Sequence, residues 1–231
     1  MTETTDKPQN LAPAGSTGRS AQVNHRVDGP LRGLWVSYLA GERLSAPAVL
    51  ICSADRREGA SAIAGGLAVA GSEAGAGGRI ALVDLNLRQP QVAKAFGADR
   101  GPGVRELLTA SADLDRCVTA ASDNLDVIGP GQASGEPATF FQDQAVRQLI
   151  ETLSKRYARI LLDVAAVNIY PDAQVLASAV PNAILVARSD QTPRESVAQA
   201  RKTLETAGAS VLGLVLNART YPLPKFLYRR L

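Results

Sequence analysis

Histidine occurs once in the 231 residues, at position 25, and cysteine only at 52 and 117. A His/Cys metal centre needs about four such ligands at short spacing, and a Ser-His-Asp triad needs a histidine inside the folded part. The sequence argues against both. Aromatic residues make up 4% of the chain, so its core must be packed from Ala, Val, Leu and Ile. Glycine (20) and proline (13) are too few for a collagen-like or low-complexity chain. The longest apolar runs, such as Ile160-Leu161-Leu162 and Ala183-Ile184-Leu185-Val186-Ala187, are strand-sized and too short to span a membrane. MTETTDKPQN lacks an apolar signal core, and the chain reads as soluble and cytoplasmic.

The 25 basic and 22 acidic residues nearly cancel, leaving a net of +3. The first thirty residues are balanced. Arg219, Lys225, Arg229 and Arg230 concentrate the basic excess in a segment without acids, which leaves the stretch between close to neutral. A broad nucleic-acid-binding face is therefore not expected.

What the sequence does contain is alternation. Residues 1–26 are rich in Thr, Pro, Gly, Ser and Asn without periodicity, and read as a disordered leader. Leu31, Leu34, Trp35, Tyr38 and Leu39 follow helical spacing and predict an amphipathic helix ahead of the domain. Apolar runs at 49–52, 80–83, 125–128, 160–162, 183–186 and 211–216 predict strands. The stretches 60–75, 139–156 and 192–207 predict helices, the last opened by Thr192-Pro193 as cap and first residue. Short, wholly apolar strands alternating with helices predict an α/β domain over 27–218: a doubly wound, mostly parallel sheet with helices on both faces. A basic-aromatic tail follows at 219–231. Ligands in such sheets sit beyond the strand C-termini.

Three polar clusters follow strands there. The first is Ser53-Ala54-Asp55-Arg56-Arg57-Glu58-Gly59-Ala60-Ser61, a strand–loop–helix passage of the kind whose N–H groups and helix dipole hold phosphate. The second is Asp84-Leu85-Asn86-Leu87-Arg88-Gln89-Pro90, and the third is Asp163 after Arg159-Ile160-Leu161-Leu162. A Ser and two Asp on one edge can hold Mg²⁺ and its waters against a nucleotide. Helix-start and loop-capping preferences also explain Ser61, Asp84 and Asp163, and turn preference explains Asn217.

In the order and spacing of these motifs, residues 28–231 resemble the cytoplasmic bacterial tyrosine kinases of capsule and exopolysaccharide synthesis. Those kinases are P-loop proteins related to division-site and chromosome-partitioning ATPases. Their phosphate loop reads approximately S-A-x-P-G-E-G-K-T, their second motif L-I-D-x-D-L-R-x-P and their third I-I-D-T-P-P. Asp84, Arg88, Asp163 and the hydroxyl of Ser61 match. Asn217 matches a position that contacts adenine in relatives. Ala60 stands where the resemblance implies lysine, Arg56-Arg57 where it implies Pro-Gly, Asn86 for the second acid, and Val164-Ala165-Ala166 for Thr-Pro-Pro.

Phosphoryl transfer is catalysed almost wholly by positioning and charge. Loss of one such donor costs on the order of 3–4 kcal/mol, so the resemblance implies a retired site at Gly59, Ala60, Ser61, Asp84, Asn86, Asp163 and Asn217. No cofactor is expected of it. ATP or ADP would bind with Mg²⁺ at Ser61, Asp84 and Asp163 only if the site still takes nucleotide. Arg56 and Arg57 read either as solvated loop arginines or as substitutes for the lysine.

Of the family's E-x-x-R-x-x-R ring motif, only Arg32 survives among Gly29, Arg32 and Trp35. Trp35 with Tyr38 reads either as an apolar docking patch or as packing onto the domain. The family's terminal tyrosine cluster is reduced to Tyr221 and Tyr228, candidate acceptors for another kinase. Their basic-aromatic setting also suits an anionic membrane surface. The function implied is a non-catalytic regulatory or scaffold subunit of surface-polysaccharide synthesis and export. It would be recruited to the inner face of the plasma membrane by the cytoplasmic segment of a polysaccharide co-polymerase, with homo-oligomers as a further possibility. The alternatives are an active tyrosine autokinase using Arg56 or Arg57, and a partitioning-type ATPase.

Overall fold

The structure, a computed structural model, describes residues 28–41, 44–75 and 78–218. The leader at 1–26 and the tail at 219–231, with Tyr221 and Tyr228, lie outside the described residues. Within them the chain runs α1 (Asp28–Leu34), a π-helical turn (Trp35–Leu39), β1 (Ala48–Ser53), α2 (Ala60–Glu73), β2 (Ile80–Asp84), α3 (Val92–Phe96), α4 (Val104–Leu108) and α5 (Leu114–Cys117). It continues through β3 (Val118–Ser122), β4 (Leu125–Ile128), α6 (Pro137–Phe140), α7 (Asp143–Ser154), β5 (Arg159–Asp163), α8 (Asp172–Ala177), β6 (Asn182–Arg188), α9 (Arg194–Thr206) and β7 (Ser210–Asn217).

The seven strands form one sheet in the order β3-β4-β2-β5-β1-β6-β7. All neighbours are parallel except β3 and β4, a hairpin that closes one edge. The sheet is doubly wound as its apolar strand runs predict, because β1, β2, β4 and β5 are buried on both faces. One face is covered by α1, the π-helical turn, α2 and α3, and the other by the remaining helices. No helix among the described residues is long and apolar enough to cross a membrane.

The expected elements are found with three corrections. The helix expected over 139–156 is two pieces, because Phe141 and Gln142 take extended or irregular backbone between α6 and α7. Pro193, not Thr192, caps α9; the Thr192 hydroxyl accepts the Arg188 N–H instead, at 2.8 Å. The short elements β3, α3, α4, α5 and α8 carry little periodic signal, and their sequences do not announce them.

The front helix is a close fit to α2. Gly66 and Gly71 remove side chains from the face on which α1 lies: a Cβ at Gly66 would collide with Leu31, and one at Gly71 would lie about 2.5 Å from the Trp35 ring. Trp35 is consequently buried to 0% exposure, as is Leu39. Trp35 therefore packs the core and forms no docking patch, while Tyr38 remains 41% exposed. Ala40 N–H bonds to the Trp35 carbonyl at 2.8 Å, the i→i−5 step of the π turn. Arg159 at the start of β5 donates to the Leu39 carbonyl at 2.6 Å and ties this turn to the sheet.

Gly71→Val is expected to overpack this contact and to cost about 2–3 kcal/mol in denaturant unfolding. The single tryptophan would report it directly, as a red shift of native-state fluorescence in the variant.

Candidate functional site

At the C-terminal ends of β1, β2 and β5 the chain forms a cleft of about 500 Å³, lined among others by Arg57, Ser61, Asn86, Gln91, Val164 and Tyr170. Its wall is the loop from Ala54 to Gly59, which runs into α2. The turn requires left-handed backbone twice, at Gly59 (φ 92°) and at Arg57 (φ 63°). Glycine adopts this region freely, whereas a side chain there costs about 1–2 kcal/mol. Arg57 thus holds a glycine's conformation under strain.

Side chains from distant segments fix the loop. Glu58 is buried, with its carboxylate accepting the Asp55 N–H at 2.9 Å and the Thr192 hydroxyl. Asn217 Nδ2 donates to the Glu58 carbonyl at 2.8 Å, and Asn168 Nδ2 to Asp55 at 3.3 Å. The segment after β5 is sewn to the same loop, since Val167 N–H bonds to the Ser53 carbonyl at 2.9 Å and Asn168 N–H to that of Ala54 at 3.1 Å. Arg56 reaches across the cleft to the Tyr170 hydroxyl, and its guanidinium lies 5.2 Å from the Tyr170 ring centre. Arg88 lies 4.6 Å from the same ring and is gripped by Asp172 through bonds of 2.9 and 3.1 Å.

The floor is acidic. Asp84 and Asp163 end neighbouring parallel strands in direct register, and both are fully buried. Asp84 accepts the Ala93 N–H at 2.9 Å through one oxygen; its other oxygen has no hydrogen-bond partner, and the Asp163 oxygens have none beyond the adjacent Ser61 hydroxyl. Burial pushes Asp84 up to about 6, against the pull of the Ala93, Asn86 and Val92 N–H groups. It raises Asp163 well above the usual carboxylate range, reinforced by the neighbouring Asp84 and moderated by the Ser61 hydroxyl. Two adjacent carboxyls cannot readily both ionise without a cation. Buried oxygens left without partners beside a hydroxyl fit a magnesium ion held partly through water, with Ser61, Asp84 and Asp163 as its protein groups.

Gly59, Ala60, Ser61 and Asn86 therefore line one cleft, with Asp84 and Asp163 beneath it. Ala60 presents a methyl group, buried at the head of α2, where the resemblance implies lysine. The Asn86 carboxamide accepts the Gln89 N–H at 3.2 Å and shapes its own turn. Asn217 lies behind the loop, bonded to Glu58. Arg32 is distant from the cleft, on α1, and pairs with Glu73 on α2. The sequence reading missed the structural parts played by Glu58, Asn168, Tyr170 and Thr192, which belong to three separate segments and have no common motif.

No family model matches the chain. Among curated proteins it is 28% identical to tyrosine-protein kinase YwqD of Bacillus subtilis over 172 residues, covering 74% of this chain and 72% of that protein. It is 29% identical to tyrosine-protein kinase CpsD of Streptococcus pneumoniae over 160 residues, covering 68% and 70%. Among solved structures, the chimerical protein CapA2B2 aligns with a TM-score of 0.75 at 26% identity, over 83% of this chain and 84% of that one. The kinase domain of Escherichia coli tyrosine kinase ETK aligns at 0.78 and 21% identity, over 95% and 86%. The septum site-determining protein MinD of Pyrococcus horikoshii, complexed with Mg-ADP, aligns at 0.64 and 20%, over 80% and 76%.

Two outcomes follow from the geometry. Arg57→Gly should relieve the left-handed strain and, after the added entropy of the unfolded glycine, stabilise the protein by about 0.5–1 kcal/mol in denaturant unfolding. Asp84→Asn should stabilise it near neutral pH by on the order of 2 kcal/mol. In wild type the unfolded chain releases the Asp84 proton near the ordinary carboxylate value of 3.8 and the folded chain only near 6. The stability carried by the neutral acid is thus whole below about pH 4, and is lost as pH rises to about 6. The melting-temperature gain of the variant should therefore vanish towards pH 4.

Proposed function

We propose, from a chain related to the bacterial tyrosine kinases and folded like the P-loop ATPases, that it is a non-catalytic member of that group. In this reading it serves as a regulatory or scaffold subunit of surface-polysaccharide synthesis and export, docking on the cytoplasmic segment of an inner-membrane co-polymerase. The observation that carries the reading is Ala60: a strand–loop–helix passage of the phosphate-binding type presents a methyl group where charge is needed. Arg88 is gripped by Asp172, while Arg56 lines the cleft and gives one N–H to the Tyr170 hydroxyl.

Removal of one charge-stabilising donor from a closed site lowers turnover by about 10²–10³. Asn86 in place of a second acid further weakens any base or metal-water function at the cleft. If magnesium binds, Ser61, Asp84 and Asp163 hold it, and the ion supplies neutralisation of phosphate charge. The residues themselves keep the cleft shaped, and Arg57 offers one positive charge at its wall.

That last feature favours a second reading, an active tyrosine autokinase with Arg57 as the surrogate cation. Arg57 lines the cleft and has no hydrogen bond or ion pair among the described residues. The two readings separate in one assay. Purified chain incubated with Mg-ATP is expected to show no tyrosine phosphorylation by phosphopeptide mass spectrometry, while co-purifying with the co-polymerase segment. Phosphorylation of Tyr221 or Tyr228 that disappears in Arg57→Ala would establish the second reading and overturn the first.

A further inference from the structure

We infer that residues 221–228 of this chain pair with the open edge of β7 as an antiparallel strand and so withhold Tyr221 and Tyr228 from phosphorylation. Nothing in this pairing depends on what the cleft binds. β7 is eight residues long, ends the sheet, and has β6 as its only strand neighbour among the described residues. Its sequence, SVLGLVLN, contains no charge and no proline, the devices with which edge strands discourage further pairing.

Both faces of this edge are apolar. On the side of α9, Leu214 and Leu216 are 46% and 59% exposed and line a groove of about 430 Å³ with Ala187 and Val197. On the front side the partly exposed Tyr38 ring stands over Gly213, where an added Cβ would lie 3.6 Å from it. A covering strand must therefore bring apolar side chains on both of its faces as well as a row of N–H and C=O groups.

The segment directly after β7 meets these demands. Ser189 N–H bonds to the Asn217 carbonyl at 2.8 Å, so the chain is held beside β6 up to the last residue of β7. Ala218 then takes left-handed backbone (φ 54°), the region that hairpin loops use to turn a chain back beside the strand it has left. Its N–H donates to the Asn217 side-chain oxygen at 2.8 Å. Residues 219–231 lie outside the described residues, and their sequence supplies the rest. Tyr221, Leu223 and Leu227 fall on one face of an extended segment, with Pro222, Pro224, Phe226 and Tyr228 on the other. Tyr221 and Leu223 each precede a proline, which biases them to extended backbone. Pro222 and Pro224 are two apart, so their missing N–H groups share one edge, while the opposite edge keeps a donor at 221, 223, 225 and 227. That is the pattern of an outermost strand. Lys225, Arg229 and Arg230 give it the charge that β7 lacks. A tyrosine tied into a ladder against its own domain cannot enter a kinase active site, so release of the strand must precede phosphorylation.

The test is hydrogen–deuterium exchange of the full chain, read at single amides by NMR over a dilution series. The amides of Leu223, Lys225 and Leu227 are expected to exchange on the order of 10²-fold more slowly than an unpaired segment, independently of concentration. Leu227→Pro removes a donor from the inner edge and should return 221–228 to fast exchange. Phe226→Pro removes one from the outer edge and should leave the protection of Leu223 and Lys225 in place. Fast exchange over 221–228 in wild type, or equal effects of the two prolines, would overturn the inference. So would protection that falls on dilution, which assigns the edge to a second copy, or protection that appears only with phosphatidylserine vesicles, which assigns the segment to a membrane surface.

Discussion

The loop between β1 and α2 is held from outside its own sequence, and the character of the cleft depends on that. A glycine-rich phosphate loop is commonly shaped around the anion it binds. In this protein Glu58 is buried and bonded to the 192 region, Asn217 supports the loop's carbonyl, and the segment after β5 is sewn to β1. These bonds maintain a left-handed conformation at Arg57 that a side chain adopts only at a cost. A cleft wall so constrained keeps its shape whether or not chemistry takes place at it.

Beneath that wall is a second constraint. The parallel register of β2 and β5 puts Asp84 beside Asp163. Burial raises both carboxyls above their ordinary range, and the neighbouring Asp84 adds its repulsion at Asp163. In an active nucleotide site such carboxyls act on a magnesium ion, and their cost to the fold is offset when the ion is present. In this chain the pair stands beside a loop with alanine at position 60. The far end of the sheet shows the contrast: Asp126 is equally buried but is satisfied by Arg79 and Tyr157.

The front of the domain follows a different logic. Small residues in α2 bring α1 and the π-helical turn close enough to bury Trp35 completely, and Arg159 ties down the end of that turn. This front helix is packed firmly against its own domain, with Arg32 paired to Glu73. Val36 and Tyr38 remain exposed beside it.

The amino-acid sequence by itself determined the α/β class, six of the seven strands and the identity of the cleft residues from Gly59 to Ser61. It could do so because apolar strand runs and a strand–loop–helix passage are local signals, carried by neighbours in the chain. It also located Asp84 and Asp163 at strand ends. Only the tertiary structure decided that these two carboxyls lie in register, that Trp35 is core and not surface, and that Asn217 supports the loop from behind. The role of Arg56 was likewise undecidable locally, since the Tyr170 hydroxyl that engages it is 114 positions away. Contacts between segments far apart in sequence follow from strand order and crossover geometry, which no local pattern of residues encodes.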